Sequence, residues 1–301
     1  MLPKLIIIGA QKSASTFMQK CLADHPDVYL PNGETPFFES PDYETSNKGE
    51  LESIFEGRTE KCLGIKRPNY IGKAEVPSRI QQDLPDAKLI AVLRNPIERA
   101  ISAYFHNIKY GFLPPLDIEV GMRKLLLDPS YSLKYKRAPE IIEFGFYYKY
   151  LTQYSQYMDN NQLLLFLHED ILMQPLESIR KSYEFIGVSP DFIPNSLNSR
   201  PMKVIYNLTR LKLCRQRNRF MYEYSDDSAR LSAKKMSPLE KGFAGCITFF
   251  DKLIMSKLMP NDKPKIGLEL KQMLYDLYSK DIESLEKLIN RDLSAWRVSE
   301  K

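Results

Sequence analysis

The chain opens with a strand, a tight turn and a helix that together predict an anion-binding site. Residues 5–8 are four consecutive apolar side chains, and residues 9–16 (GAQKSAST) form a small-residue turn with one lysine and three hydroxyls. Apolar positions at helical spacing follow until Pro26 ends that helix. A strand that turns tightly into a helix points backbone N–H groups and a helix N-terminus at one place, which favours a phosphate or sulfate. We therefore expect this chain to bind an anionic nucleotide.

The turn differs from the loop that binds ATP or GTP together with magnesium. That loop carries a second glycine directly before its lysine, whereas Lys12 stands three residues after Gly9 with no second glycine in the loop. Such proteins also place a metal-holding acid at a later strand end, but the strand predicted over 88–93 ends in Arg94. A guanidinium at that position suits a ligand phosphate. A P-loop nucleotide kinase is therefore the rival interpretation. The sequence has no acidic residue at the strand end where such an enzyme would hold its metal ion.

A second anion site is predicted just after that strand. Asn95 suits a helix N-cap, Pro96 suits the first turn, and apolar residues from Ile97 onward recur at helical spacing. Arg94 before this helix and Ser102 within it are placed to converge on one phosphate, with the guanidinium giving a paired contact. The alternative for these two residues is a strand-end salt bridge and an exposed serine.

These two segments resemble sulfotransferases that use 3′-phosphoadenosine 5′-phosphosulfate (PAPS). The run GAQKSAST is similar to that family's 5′-phosphosulfate-binding loop, and LRNPIERAISAYFH is similar to its 3′-phosphate-binding motif. The resemblance is greatest to bacterial and glycosaminoglycan-type (heparan sulfate-like) members, and it covers residues 3–190 and 266–297. It implies PAPS as co-substrate, with no metal required. It assigns nucleotide binding to Lys12, Ser13, Ala14, Ser15, Thr16, Arg94 and Ser102.

The alternation of apolar runs and helical patterns predicts an α/β fold with a mainly parallel central sheet. The apolar runs are 5–8, 28–30, 62–65, 88–93 and 163–167. We expect a P-loop-like three-layer sandwich whose ligands bind at the carboxyl ends of the strands. A single sulfotransferase domain is expected over 1–301. Its variable part, 200–264, is expected to form a helical segment over the acceptor cleft, and 266–297 a C-terminal helix.

A third segment resembles the catalytic element of the glycosaminoglycan group. The run PNGETPFF places Glu34 at a strand end, and the matching glutamate of that group is the general base, although Gly33 stands where a lysine is common. Phe37 and Phe38 are expected to desolvate Glu34 and so make it a stronger base. The alternative is that Glu34 is an ordinary surface residue in a turn.

Lys66 and Lys12 are predicted to stabilise the group that is transferred. The run GIKRPNY resembles an element whose lysine reaches the sulfuryl group, and Lys66 matches that lysine, although Ile65 replaces the usual acid. During transfer, negative charge grows on the departing phosphate oxygen, and Lys12 is the candidate that stabilises it. His106 is a weaker candidate base, because sulfotransferases of phenols and steroids use a histidine from a different segment.

Composition and charge narrow the partners and the location. The net charge of +5 gives no general argument for nucleic acid. No window approaches the roughly eighteen apolar residues of a transmembrane helix, and the first apolar run is too short for a signal peptide. The four cysteines lack paired or metal-type spacing, so we expect free thiols and a cytoplasmic protein. The basic stretch 203–219 is either a solvated helix face or a weak contact with an acidic carrier protein or a membrane surface.

The combined motifs predict transfer of a sulfuryl group from PAPS to a hydroxyl or amine of an acceptor. The Glu34 and Lys66 segments favour a carbohydrate acceptor. A lipid, or an acyl hydroxyl on a carrier protein, is the alternative acceptor. An alternative function of another class is also left open, namely a non-catalytic module that binds a nucleotide or a sulfated glycan.

Overall fold

The chain forms two compact units in the computed structural model, which describes residues 1–45, 47–199, 204–225 and 231–298. The first unit comprises Met1–Asn95, Phe146–Met202 and Asp281–Asp292. The second comprises Pro96–Gly145, Lys203–Lys280 and Leu293–Lys301. The single domain expected over 1–301 stays a prediction.

The secondary structure follows the alternation that the sequence predicts. The strands are β1 (Leu5–Gly9), β2 (Val28–Tyr29), β3 (Cys62–Lys66), β4 (Lys88–Leu93), β5 (Leu163–Leu167), β6 (Tyr222–Tyr224) and β7 (Leu231–Ala233). The helices are α1 (Ser15–Ala23), α2 (Lys48–Ser53), α3 (Val76–Asp83), α4 (Pro96–Lys109), α5 (Ile118–Leu127), α6 (Pro129–Lys134), α7 (Ala138–Glu143), α8 (Tyr147–Leu151), α9 (Ser155–Asp159), α10 (His168–Met173), α11 (Pro175–Ile186), α12 (Leu208–Met221), α13 (Pro238–Phe250), α14 (Ser256–Leu258) and α15 (Leu268–Ile289). A π-helical turn, Asp251–Met255, joins α13 to α14. Helix α15 lies within the range predicted for a C-terminal helix.

Five strands of the first unit form one parallel sheet. Their order is β2-β3-β1-β4-β5, so β1 lies in the middle. Leu5 of β1 pairs with Gly64 of β3 on one side and with Lys88 of β4 on the other. The five strands coincide with the five predicted apolar runs, and the α/β class with a mainly parallel sheet is confirmed. Because parallel strands end at the same edge, the residues that follow β1, β3 and β4 are grouped there.

Apolar side chains cover both faces of this sheet. On one face, a buried cluster joins β1 and β4 to α1 and α11. It includes Leu5, Ile7, Met18, Ile90, Ile179 and Tyr183. Ile6 and Ile8, which alternate with the β1 members of this cluster, are also fully buried. The sheet is therefore a central layer, as expected for a three-layer sandwich.

Helix α4 is the core of the second unit. It packs against α5, α7 and α12, and its fully buried residues include Arg99, Ala100, Ala103, Tyr104 and Ile108. The hydroxyl of Tyr104 donates a hydrogen bond to the carbonyl of Leu116 over 3.0 Å. The side-chain amide of Asn218 on α12 donates to the carbonyl of Lys109 over 2.8 Å, at the end of α4. These contacts join the helices of the unit around α4.

The basic stretch 203–219 is not a uniform solvated face. Helix α12 begins at Leu208, and Lys203, like the rest of 200–203, lies outside the described residues. Arg210 is buried and donates from Nε and Nη2 to the two carboxylate oxygens of Asp251, over 2.8 Å and 3.0 Å. The interpretation as a solvated helix face is therefore wrong for Arg210. A buried guanidinium requires a paired carboxylate, and Asp251 supplies it.

The described parts of the chain lack a membrane-spanning helix and a metal-binding cluster. None of the helices in 1–45, 47–199, 204–225 and 231–298 is long and apolar enough to cross a membrane. Within the same residues, no group of three or more His, Cys, Asp and Glu side chains is placed to hold a metal ion. Cys21, Cys62 and Cys214 are buried free thiols, and Cys246 is an exposed one.

Replacing Gly9 by alanine is expected to destabilise the first unit. An added Cβ would lie 2.5 Å from Cγ2 of Ile71 and 2.9 Å from its Cβ. Ile71 is only 2% exposed, so it cannot move aside freely. Overpacking of this kind costs about 1–3 kcal/mol in the free energy of unfolding, which denaturant titration measures.

A second glycine provides the control for this substitution. An added Cβ at Gly245, on α13, would meet no atom within 4 Å. Gly245→Ala should therefore raise the free energy of unfolding by about 0.5–1 kcal/mol, because alanine favours a helix. Equal stability of Gly9→Ala and the parent would contradict the close approach between the end of β1 and Ile71.

Candidate functional site

The turn between β1 and α1 gathers backbone groups at the carboxyl edge of the sheet. Lys12 and Ala14 have φ angles of 69° and 70°, in the left-handed region that permits a tight turn. The N–H of Ser13 donates to the carbonyl of Ala10 over 3.2 Å. Arg94 donates from Nη1 to the carbonyl of Lys12 over 3.0 Å, which fastens the turn to the end of β4. The N-terminus of α1 therefore lies at this edge, where an anion is favoured.

The hydroxyl groups of this turn fit a phosphate or sulfate ligand. Ser13 is fully buried, and its Oγ has no hydrogen-bond partner among the described residues. A buried hydroxyl without a partner costs about 1–3 kcal/mol, which an anionic ligand oxygen would relieve. Ser15 is buried in the first turn of α1, whereas Thr16 is exposed. The loop predicted to bind the nucleotide thus has both an unsatisfied donor and an accessible one.

The turn that carries Glu34 is held from two sides. Gln19 of α1 donates from Nε2 to the carbonyl of Pro31 over 2.6 Å. The hydroxyl of Tyr70 donates to the carbonyl of Thr35 over 2.6 Å. These two bonds flank Glu34 in the sequence, so they fix the backbone from which its side chain projects.

The carboxylate of Glu34 is paired with Arg67. Nη1 of Arg67 lies 2.7 Å from Oε2 of Glu34, and Nη2 of the same guanidinium binds Glu39. Burial opposes the charge on Arg67, but Glu39 and then Glu34 outweigh it and raise the pKa of Arg67. The Glu34 side chain is 39% exposed, against 10% for Glu39. Of the two carboxylates, Glu34 is therefore the one that a ligand from solvent can reach.

The predicted desolvation of Glu34 by Phe37 and Phe38 is wrong. Phe38 lies in a short 3-10 turn, Phe37–Glu39, and is fully buried. Its ring packs edge-on against the ring of Tyr70, with centroids 5.9 Å apart. The turn directs this phenylalanine into the core while Glu34 stays exposed, so a guanidinium and not an apolar pocket sets the environment of the carboxylate.

Lys66 is buried at the end of β3, beside the turn between β1 and α1. It is only 4% exposed, and its Nζ lies 3.3 Å from Oγ1 of Thr16. Burial lowers the pKa of Lys66 from its ordinary 10.5, and the charge of Glu34 partly opposes this effect. A cation held away from water acts strongly on a nearby anion. The structure thus brings together Lys66, Thr16 and Glu34, three of the residues that the sequence predicted.

Sequence reasoning missed the residues that hold the Glu34 turn. Arg67 stands next to Lys66 in the run GIKRPNY, so the motif indicated that this segment belongs to the site. It did not indicate that Arg67 pairs with Glu34. Tyr70 ends the same run. Gln19 gives no sequence signal, because its partner is a backbone carbonyl 12 residues away. Its role depends on the fold alone.

In the second unit, Ser102 lies on α4 and is not the exposed serine of the alternative interpretation. It is 2% exposed, and its Oγ has no partner among the residues that the structure describes. One turn earlier, Arg99 is fully buried and donates from Nη2 to the carbonyl of Ile141, while its Nε and Nη1 are without partners in the same part of the chain. The shared binding of a phosphate by Arg94 and Ser102 stays a prediction.

The fold and these residues define an α/β protein in which the turn between β1 and α1 lies at the carboxyl edge of a parallel sheet. Residues 2–245 match the family model described as "Sulfotransferase domain". The chain belongs to the sulfotransferase family, as the sequence motifs predict. A solved structure agrees in fold: the sulfotransferase from Alicyclobacillus acidocaldarius is 21% identical, with a TM-score of 0.69 over 99% of this chain and 100% of that one.

Curated relatives are enzymes of heparan sulfate modification. Mouse heparan sulfate glucosamine 3-O-sulfotransferase 3A1 is 28% identical over 192 residues, which cover 62% of this chain and 46% of the relative. Human bifunctional heparan sulfate N-deacetylase/N-sulfotransferase 2 is 28% identical over 199 residues, which cover 63% of this chain and 22% of the relative. The matched region thus spans less than half the length of these relatives.

Replacing Lys66 by methionine is expected to stabilise the fold near pH 7. The fold lowers the pKa of Lys66 from 10.5, so the charged form is disfavoured relative to the unfolded chain. This cost is fully present below the folded-state pKa and disappears as the pH rises towards 10.5. Methionine removes the charge with little change in length. The gain in the free energy of unfolding should therefore be larger near pH 7 than near pH 10.

Guanidinium unfolding of the parent and Lys66→Met at both pH values measures this difference. Lys280→Met, an exposed position on α15, controls for the loss of one positive charge. If Lys66→Met is less stable than the parent near pH 7, burial of Lys66 does not oppose its charge in the way described.

Proposed function

We propose that this chain transfers a sulfuryl group from PAPS to a hydroxyl or amine of a carbohydrate acceptor. One observation carries the proposal: the buried ammonium of Lys66 lies against Thr16 of the anion-binding turn, within electrostatic range of the accessible carboxylate of Glu34. A cation, an anion-binding turn and a base at one sheet edge are what sulfuryl transfer requires. The family match and the relatives named for heparan sulfate support a carbohydrate acceptor.

The donor nucleotide would be held by two groups of residues. The backbone of the turn around Ala14, the hydroxyls of Ser13, Ser15 and Thr16 and the ammonium of Lys12 would bind the 5′-phosphosulfate end. The unpartnered Oγ of Ser13 supports this assignment, because an oxyanion would satisfy it. Arg94 and Ser102 keep their predicted role at the 3′-phosphate, which rests on their spacing in the sequence.

Glu34 is the proposed general base. PAPS supplies the sulfuryl group, so the sulfur–oxygen bond to the 5′-phosphate breaks while a sulfur–oxygen or sulfur–nitrogen bond to the acceptor forms. Glu34 accepts the proton that the acceptor loses. Arg67 shares its guanidinium between Glu34 and Glu39, and this pairing orients the carboxylate of Glu34.

Lys66 and Lys12 are the proposed electrostatic catalysts. Negative charge grows on the departing phosphate oxygen, which leaves with the bonding electron pair. Lys66 is already removed from water, so its charge acts at full strength without rearrangement of solvent. The burial that makes the charge of Lys66 unfavourable for folding would also strengthen its effect on the departing phosphate oxygen.

Substituting Glu34 by glutamine should lower turnover by about 10²–10⁴-fold, the usual contribution of a positioned general base. The assay follows radioactive sulfur from labelled PAPS into an unsulfated glucosamine-containing oligosaccharide. Binding of adenosine 3′,5′-bisphosphate, measured by calorimetry, should be unchanged, because Glu34 is not assigned to the nucleotide.

Glu39→Gln is the matched control, since Glu39 pairs with the same guanidinium but is much less exposed. It should retain turnover within about tenfold of the parent and lose stability instead. Near-normal turnover of Glu34→Gln removes Glu34 from the mechanism. Equal losses in both variants would mean that Arg67, and not the base, is what the substitutions disturb.

A further inference from the structure

The helical segment 238–258 of the second unit carries a row of apolar side chains exposed to solvent. The segment consists of α13, the π-helical turn and α14. Its large apolar residues that are between 40% and 74% exposed are Phe243, Phe249, Phe250, Leu253, Ile254 and Leu258. Its buried residues are Ala244, Asp251 and Met255. The buried residues recur at intervals of seven and four positions and so mark one packed side, whereas the exposed apolar residues are spread over the remaining circumference of the segment.

An apolar row on the outer side of a packed helix is not explained by folding. A surface helix normally presents polar residues opposite its packed stripe, and a helix that is apolar on all sides is normally buried. Here Asp251 is fixed in the unit by Arg210, so the buried side of the segment is settled. The outer side is therefore available for a contact outside the chain, which contiguous exposed apolar surface commonly marks.

The charge around this apolar row is positive. Lys241, Lys252 and Lys257 are exposed on the segment. Its two acids are both paired inside the second unit, Glu240 with a lysine and Asp251 with an arginine. The charged groups of the segment that a partner can reach are therefore these three lysines, which lie beside aromatic and aliphatic side chains.

A hollow of about 320 Å³ lies between α12 and this segment. Its apolar lining residues are Leu213, Phe250 and Met255, and Thr209, Lys212 and Gln216 complete the lining. The combination of an apolar hollow and a cation suits a hydrocarbon chain that ends in an anionic group.

We propose that segment 238–258 docks the protein on an anionic lipid bilayer. The row of phenylalanines and aliphatic side chains enters the boundary between headgroups and acyl chains, and the lysines lie at the level of the lipid phosphates. A second copy of the chain fits less well. A two-fold contact through this face would place the lysines of both copies in one interface, and both acids of the segment are already paired within the chain. The proposal does not depend on sulfuryl transfer.

Vesicle sedimentation of the full chain tests the proposal. Vesicles of phosphatidylcholine alone are compared with vesicles containing about 30 mol% phosphatidylglycerol, and the parent should sediment mainly with the anionic set. The double variant Phe249→Gln/Leu253→Gln should lower the partition coefficient by at least about tenfold. Lys252→Glu/Lys257→Glu should lower it by at least about fivefold on the anionic vesicles.

Matched controls come from other parts of the second unit. Leu127 and Leu133 are 64% and 77% exposed, so Leu127→Gln/Leu133→Gln removes similar apolar surface elsewhere. Lys136 is an exposed cation, and Lys136→Glu reverses a charge outside the segment. Both controls should leave the partition coefficient unchanged. Thermal melting confirms that each variant is folded.

Three results would overturn the proposal. The first is a parent that binds neither kind of vesicle. The second is a Phe249→Gln/Leu253→Gln variant that partitions as the parent does. The third is a dimer in sedimentation velocity that this variant abolishes while vesicle binding is absent, which would make a second copy the occupant of the face.

Discussion

The parallel pairing of β1 with both β3 and β4 is the constraint on which the site depends. Parallel strands end at one edge of their sheet, so the turn after β1, the Lys66–Arg67 pair at the end of β3 and Arg94 after β4 are neighbours without being close in sequence. The hydrogen bond from Arg94 to the carbonyl of Lys12 and the contact of Lys66 with Thr16 are direct consequences. A sheet in another order would separate them.

The backbone could be predicted from the sequence because its signals are local. Runs of apolar residues marked all five strands of the sheet, and helical spacing after Pro96 marked α4. The signal for the turn between β1 and α1 was equally local, since small residues, hydroxyls and a lysine follow one strand, and its binding of an anion stays a prediction. Lys66 was indicated by the resemblance of the run GIKRPNY, and the structure places it at the end of β3 beside Thr16. Its part in transfer stays a prediction.

The side-chain pairings could not be predicted, because they join residues far apart in sequence. Nothing local to Glu34 indicates that Arg67 will pair with it, 33 residues later. The expected apolar pocket around Glu34 is absent from the described part of the chain for the same reason, since Phe38 is buried against the ring of Tyr70, 32 positions later in the sequence. The basic stretch gives a second example: Arg210 is buried because Asp251, 41 residues later, compensates its charge. The exposure of the apolar residues in segment 238–258 could not be predicted either, because the sequence does not show which side of that helix packs against the rest of the unit.

The central claim is that the turn after β1 and the end of β4 serve a 3′-phosphorylated adenine nucleotide. Calorimetric titration of the full chain with adenosine 3′,5′-bisphosphate and with ADP, both without magnesium, tests it most directly. We predict that the bisphosphate binds at least about tenfold more tightly, and that Arg94→Ala removes this preference. Equal affinity for the two nucleotides, or a preference for ATP that magnesium strengthens, would contradict it.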